Sequence, residues 1–229
     1  MRNSAVKLVA ILAVAVAPLS VQAETVSLVE GGQTSVLFGN GALDSLGLDI
    51  ADIVDGTISP GSLGPLSVAF PINLRDDATA PTTFEYGAMF SSFAGTIEHG
   101  GGVILTDADT GTESITVGAF TIAYDESRVG DGGTGFYVAD NADVGEILFD
   151  LANPIIEAFD TSLVIAADIL VSQELSDSLQ GLGFINDSVA GTDAGIALVV
   201  ADATLVPIPA AAWLFGSALG LLAWVRRRA

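Results

Sequence analysis

The only histidine of the chain, His99, stands directly before three glycines at positions 100–102. A Ser-His-Asp triad would need this imidazole as its base, but no Gly-x-Ser-x-Gly sequence offers a nucleophilic serine. A zinc site would need more ligands of the same kind, and the chain has no second histidine and no cysteine. The glycines predict a hairpin loop, so we expect His99 to be an exposed turn residue without a catalytic role.

The sequence Asp109-Thr110-Gly111 has the residue types of the aspartic protease triplet, in which two such carboxylates share a proton. It occurs once, and Asp107 and Ala108 before it do not form the apolar strand that buries such a catalytic loop. Aspartate followed by small residues and glycine is typical of a turn. We therefore expect a turn here.

Carboxylates at alternating positions are the best candidates for metal ligands. Asp107, Asp109 and Glu113 flank Gly111 in a pattern that resembles the first half of a calcium-binding loop. The third aspartate is missing, and the twelfth position, which should be glutamate, is Gly118. Two further acidic clusters contain Asp140, Asn141 and Asp143 and, separately, Asp125, Glu126 and Asp131. The sequence predicts a weak calcium site at most, and no other cofactor.

A pair of carboxylates could also hydrolyse glycosidic bonds, and 28 acidic residues offer many pairs. Abundance alone does not identify such a pair. Trp213 and Trp224 both lie near the C-terminus, which leaves the tyrosines at positions 86, 124 and 137 to stack on a sugar ring. We predict a non-enzymatic protein, with a calcium-dependent adhesion module and a carbohydrate-active enzyme as the alternatives.

The middle of the chain is strongly acidic. Only two basic residues, Arg75 and Arg128, stand among the 28 acids between Glu24 and Asp202, so this part has a net charge of −26. Nucleic acids and anionic lipid head groups bind to clustered lysine and arginine, so the composition excludes nucleic acid as a partner. The absence of cysteine excludes disulfides and thiolate chemistry, so the core must stabilise the domain.

The first 23 residues have the parts of a secretory signal peptide. Arg2 and Lys7 form a positive start, and residues 8–17 form an apolar run. We expect signal peptidase to cut between Ala23 and Glu24. The apolar run would rise only about 15 Å as a helix, half of a bilayer core, which argues against a retained anchor.

The end of the chain has the pattern of a membrane anchor. Residues 210–225 carry no charge, and as a helix they would extend about 24 Å, enough to span a thinned bilayer. Trp213 and Trp224 lie near the two ends, where indoles prefer the water interface. The cluster that follows consists of Arg226, Arg227 and Arg228. We predict a single transmembrane helix with a cytoplasmic C-terminus.

The residues that lead into this stretch are Val206, Pro207, Ile208, Pro209 and Ala210. With the apolar stretch and the arginine cluster, they resemble the VPLPA-CTERM variant of the PEP-CTERM sorting domain, with isoleucine where leucine is usual. The resemblance implies transient anchoring in the inner membrane of a Gram-negative bacterium and removal of the tail by an exosortase-like transpeptidase. It also implies a final location at the cell surface or outside, in contact with a polysaccharide matrix. Because proline donates no backbone hydrogen bond, we expect the motif to be extended and open.

Short apolar alternations separated by glycine, proline and aspartate predict an all-β domain over residues 24–205. The predicted strands are 25–29, 67–74, 82–90, 103–106, 114–124, 135–139, 146–151, 162–171 and 195–205. Their number and spacing favour an antiparallel, jelly-roll-like β-sandwich, flanked by the signal peptide helix (1–23) and the sorting tail (206–229). One helix is predicted at 172–179, with Ser172 as its cap and Gly181 as its stop.

Three local features refine this prediction. The apolar positions of strand 114–124 change phase, which requires a β-bulge near Gly118 or a corner between two sheets. Strands 162–171 and 195–205 are apolar on both faces, which predicts either burial on both or a central place in the sheet. The residues predicted to point inward are Leu163, Ile165, Ala167 and Ile169 in the first strand and Ile196, Leu198 and Val200 in the second. Segment 39–64 is rich in glycine, aspartate and serine, and we expect it to be exposed and outside the sheets.

Overall fold

The structure is a computed structural model that describes residues 25–108, 110–111, 114–130 and 132–207. The predicted signal peptide with its cleavage site at Ala23 and Glu24 lies outside these residues, as does the tail from position 208 onward. Asp109 and Glu113 of the predicted calcium loop lie outside them too. Among the described residues, no helix is both long and apolar enough to cross a membrane.

The described chain is mostly antiparallel β-structure, which confirms the all-β prediction. Its strands are β1 (Thr25–Phe38), β2 (Leu48–Val54), β3 (Val68–Pro71), β4 (Glu85–Gly87), β5 (Phe93–Ala94), β6 (Ile97–Glu98), β7 (Gly102–Asp107), β8 (Ser114–Gly118), β9 (Thr121–Gly130), β10 (Gly133–Ala139), β11 (Ile147–Ala158), β12 (Ser162–Val171) and β13 (Asp193–Pro207). Its helices are α1 (Ala42–Ser45), α2 (Gln173–Leu182) and a short 3-10 turn (Ala88–Phe90).

Ten of these strands form one large sheet in the order β5-β4-β1-β13-β12-β11-β10-β9-β6, with β3 also paired to β1. Strands β2, β7 and β8 form a second, smaller sheet. The large sheet curls so far that strands near its two edges meet. The ring of Phe93 in β5 lies 5.1 Å from that of Tyr124 in β9 and 5.0 Å from that of Phe136 in β10. Both sheets bury their apolar side chains in one core.

The chain passes from the small sheet to the large one between β8 and β9, as the phase change in the sequence predicted. Ala119 makes the corner with a φ of 48°, a conformation that non-glycine residues rarely adopt. A Cβ atom on Gly118 would lie 2.5 Å from the carbonyl oxygen of Gly101, so only glycine fits at the end of β8.

Strand β12 points Leu163, Ile165 and its later odd-numbered residues into the core, as predicted. The predicted phase of β13 is wrong, because Val199 is buried whereas Ile196 and Val200 are each 41 % exposed. Val199 pairs with Ile165, and paired residues of neighbouring strands point to the same face. The outer face of β13 is therefore partly open to solvent, so burial on both faces is wrong for this strand, whereas the predicted central place of β12 and β13 in the sheet is confirmed.

Segment 39–64 also departs from the prediction, because it contains α1 and the edge strand β2, which pairs with β7. Leu46 and Leu48 are buried in the core. The residues after Leu48 in β2 are mostly exposed, so the strand shows no alternation that the sequence could reveal. An edge strand with one open face can carry the aspartates that made this segment look like a loop.

Helix α2 begins as predicted after Ser172, whose hydroxyl oxygen accepts a hydrogen bond from the Leu175 N–H at 2.9 Å. It ends at Leu182, and its stop is Gly183 rather than the predicted Gly181, because Gly183 has the left-handed φ of 82° that is common just after a helix C-terminus. The helix carries Leu179, a fully buried residue, into the core.

Candidate functional site

The predicted calcium ligand Asp107 ends strand β7. Its carboxylate accepts hydrogen bonds from the N–H of Thr110 at 2.6 Å and from the Thr110 hydroxyl at 3.0 Å, so it stabilises a turn. Asp109 and Glu113 lie outside the described residues, and the predicted ligand set stays a prediction. Within the part of the chain that the structure describes, no three acidic or histidine side chains are grouped closely enough to hold a metal ion.

The acidic cluster at Asp140 is a structural clamp on the corner between the sheets. Asp140 is 1 % exposed, and its carboxylate accepts hydrogen bonds from the N–H groups of Gly118 (2.6 Å), Val144 (2.8 Å) and Gly145 (3.0 Å). The amide of Asn141 donates to the corner carbonyl between β8 and β9 at 2.6 Å. The two Asp140 oxygens satisfy one buried and two part-buried backbone N–H groups that would otherwise lack this partner.

His99 is 2 % exposed, so the expectation of an exposed turn histidine is wrong. The backbone N–H of His99 donates to the carbonyl of Phe120. His99 also forms an antiparallel β-bridge with Ile72. These two contacts hold the residue between neighbouring strands, with its ring in the interior. Ring Nδ1 donates to the same Phe120 carbonyl at 3.0 Å, so Nε2 accepts from the hydroxyl of Thr34 at 2.7 Å. Burial lowers the pKa of His99 to about 4, which keeps the ring neutral at pH 7.

Thr34 and His99 line an internal cavity of about 70 Å³ between the two sheets. The surrounding walls are apolar and include Val36, Phe70 and Val103. The hydroxyl and the imidazole are bonded to each other, and the second imidazole nitrogen is bonded to the backbone. This histidine is therefore part of the core, and it has no free nitrogen with which to act as a base.

Both arginines of the described domain are held in internal contacts. Arg128 Nε lies 2.7 Å from an Asp150 carboxylate oxygen, and Arg128 Nη1 lies 2.6 Å from Glu174. These hydrogen bonds raise the pKa of Arg128 and lower that of Glu174. Arg75 donates to the Phe84 carbonyl at 2.9 Å. The surface therefore offers many carboxylates, while its two guanidinium groups are already engaged.

Six rings close the curled sheet, and we call them the aromatic seam: Phe84, Tyr86, Phe90, Phe93, Tyr124 and Phe136. Of the tyrosines predicted to be available for sugar stacking, Tyr86 is buried, and burial raises the pKa of its phenol. Tyr137 lies under the guanidinium of Arg128, 5.7 Å from it. Tyr124 is 41 % exposed and is the tyrosine that remains accessible.

The turn between β4 and β5 has an unusual backbone. Met89 and Phe90 have φ values of 52° and 59°, and two consecutive non-glycine residues in this region indicate a backbone that its surroundings constrain. Phe90 packs into the aromatic seam, with its ring 5.2 Å from that of Phe93, whereas Met89 is 91 % exposed. The sequence gives no sign of this turn, because residues 82–90 have the composition of a strand.

The two ends of the described domain lie side by side. Thr25 pairs with Pro207, and Val26 pairs with Val206, so the first two residues of the predicted sorting motif belong to β13. The compact unit runs from Thr25 to Pro207, two residues beyond the C-terminal boundary that the sequence predicts. Ile208, Pro209 and Ala210 of the motif lie outside the described residues, as does the arginine cluster.

Comparison with known proteins identifies no family. No family model matches the chain, and no curated protein matches it. Among solved structures, it is similar to the C-terminal domain of HtaA from Corynebacterium glutamicum, with 15 % identity and a TM-score of 0.47 over 77 % of this chain and 99 % of that domain. A TM-score below 0.5 supports no conclusion about activity.

Proposed function

We propose that this chain is an exported, surface-sorted, non-enzymatic protein that associates with an extracellular polysaccharide matrix. The observation that supports this best is the pairing of Thr25 with Pro207. Because of this pairing, the predicted leader and the predicted tail both join the domain at the same end. A domain built in this way can be held at a membrane by that end. Two cuts close together in space would then release it without disturbing its core.

In this proposal the domain is a β-sandwich of jelly-roll type, with the small sheet packed against the large one. Signal peptidase cuts between Ala23 and Glu24. The helix at 210–225 anchors the precursor in the inner membrane, with the arginines at 226–228 in the cytoplasm. An exosortase-like transpeptidase then acts at the motif 206–210, and the acidic domain reaches the cell surface or the medium.

The tail can be tested by replacing Pro207 and Pro209 with alanine in the native host. We expect the variant to stay in the membrane fraction as an unprocessed precursor, because an exosortase-like enzyme would no longer recognise its motif. Mass spectrometry of the mature protein from cells reports both cuts at once. Pro81→Ala, at an exposed proline far along the chain from the motif, is the control. Equal release of the double variant and the natural protein would contradict the sorting role.

The matrix association can be tested on a glycan array. Tyr124 is partly exposed, and its phenol has no hydrogen-bond partner among the described residues, so it can stack on a sugar and bond to it. We expect Tyr124→Ala to weaken binding about tenfold, whereas Phe159→Ala, at an exposed ring outside the aromatic seam, leaves it unchanged. Release of reducing sugar would favour the enzyme instead, and a chelator-dependent melting midpoint would favour the calcium module.

A further inference from the structure

Four of the exposed apolar side chains lie at the end of the domain where the chain leaves it. Met89 is 91 % exposed, Phe159 is 55 % exposed, and Leu205 and Val206 are 38 % and 37 % exposed. We call these four residues the terminal rim. Single exposed apolar residues are common on proteins, but a group at one end of a sheet calls for an explanation.

Strand pairing places the terminal rim at one end. Val26, at the start of β1, pairs on one side with Val206 and on the other with Gly87, two residues before Met89. The hydroxyl of Tyr86 donates to the carbonyl of Phe159 at 2.7 Å, which fixes the turn between β11 and β12 beside β4. Three different connections thus bring apolar side chains to the end from which β13 continues into the tail.

The sequence places an apolar stretch directly beyond this end. From Pro207 to Ala210 the chain advances three residues, about 10 Å when extended. The polar region on each side of a bilayer core is about 5–8 Å thick. If residues 210–225 span the bilayer, the end of β13 therefore lies no more than about 10 Å from the hydrocarbon core, within the lipid head groups or at their outer edge.

We propose that the terminal rim inserts into the interface of the bilayer that holds the tail, so that the domain is seated on the membrane by this end. The inference rests on the proposed anchoring by residues 210–225. Transfer of a methionine or phenylalanine side chain from water into this interface is favourable, because it removes apolar surface from water. The left-handed backbone at positions 89 and 90 suits this role, since Phe90 is packed inside and Met89 is held outward.

The charges at this end select the lipid. Glu85 in β4 and Asp160 in the turn after Phe159 lie beside the rim, and the Ser27 hydroxyl donates to the Asp160 carbonyl at 3.4 Å. Carboxylates at this position repel anionic head groups. The partner is therefore a zwitterionic lipid surface, and added anionic lipid should weaken the contact.

The absence of cysteine from the chain allows single labels without background. The variants are Met89→Cys and Phe159→Cys at the rim, with Leu66→Cys as the matched control. Leu66 is also highly exposed, but it lies beside Phe38 and Asp193. Phe38 is the last residue of β1 and Asp193 is the first of β13, so this position is at the end of the two strands that is far from the terminal rim. Each full-length chain carries an environment-sensitive dye and is incorporated into phosphatidylcholine nanodiscs, with or without nitroxide-bearing lipid.

We expect blue-shifted emission and loss of fluorescence to the lipid nitroxide at positions 89 and 159, but not at position 66. Adding phosphatidylglycerol should reduce both effects. If the chain copurifies with the nanodisc but the labels at positions 66, 89 and 159 all show the emission of a dye in water, the seating is overturned while the anchor stays intact. Blue-shifted rim labels that the nitroxide does not quench would indicate a protein partner, such as a second copy, and would also overturn it. Failure to copurify would overturn the anchor and the seating together.

Discussion

Replacing Asp140 with alanine should lower the free energy of unfolding by about 3 kcal/mol, a large part of the stability of a domain of this size. The carboxylate is buried and accepts three backbone hydrogen bonds, one of them from Gly118 at the corner between the sheets. Its removal leaves the buried N–H of Gly118 and the part-buried N–H groups of Val144 and Gly145 without their acceptor. Urea unfolding followed by circular dichroism measures the effect.

The chain provides a matched control for this substitution in the same loop. Asp143 is exposed and makes one longer hydrogen bond, 3.3 Å from the Thr116 N–H, so Asp143→Ala should change the free energy of unfolding by less than about 0.5 kcal/mol. Asp140→Asn keeps one carbonyl acceptor and should lie between the two. Equal stability of the Asp140 and Asp143 alanine variants would show that the corner does not depend on this clamp.

Acidification should destabilise the domain through His99. The folded-state pKa of about 4 is below the ordinary value of 6.5, so unfolding takes up a proton at intermediate pH. This contribution to stability is fully present above about pH 6.5 and is lost as the pH falls toward 4. Each pH unit within that window should lower the free energy of unfolding by about 1.4 kcal/mol, or about 3 kcal/mol across the whole window.

The contribution of His99 is measured as a difference between the natural chain and His99→Gln, which does not titrate. Free energies of unfolding from urea curves between about pH 7.5 and 5 should fall more steeply for the natural chain, by the slope given above. The pKa of Glu174 is lowered by its hydrogen bond from Arg128, so its contribution is lost only at lower pH. Parallel curves for the two proteins would rule out a buried neutral imidazole.

The positions where the sequence misled share a cause. His99 precedes three glycines, so local composition indicates a turn, but the chain also pairs with Ile72 and Phe120, which are distant in sequence. The phase of β13 could not be deduced because both of its faces are apolar, and the pairing of Val199 with Ile165 decides it. The acidic cluster at Asp140 looks like a set of metal ligands until the N–H groups of Gly118, Val144 and Gly145 are placed beside it.

The sequence alone determined the features that depend on neighbouring residues: the β-rich class, strand β12, the cap of α2 and the phase change near Gly118. The sequence also determines the charge of the domain, and it predicts the segments for export and sorting. The tertiary structure decided which side chains meet, namely the buried pair of Thr34 and His99, the clamp at Asp140, the aromatic seam and the terminal rim. Each joins strands far apart in the chain, and their contacts follow from the curl and register of the large sheet, which no local pattern records.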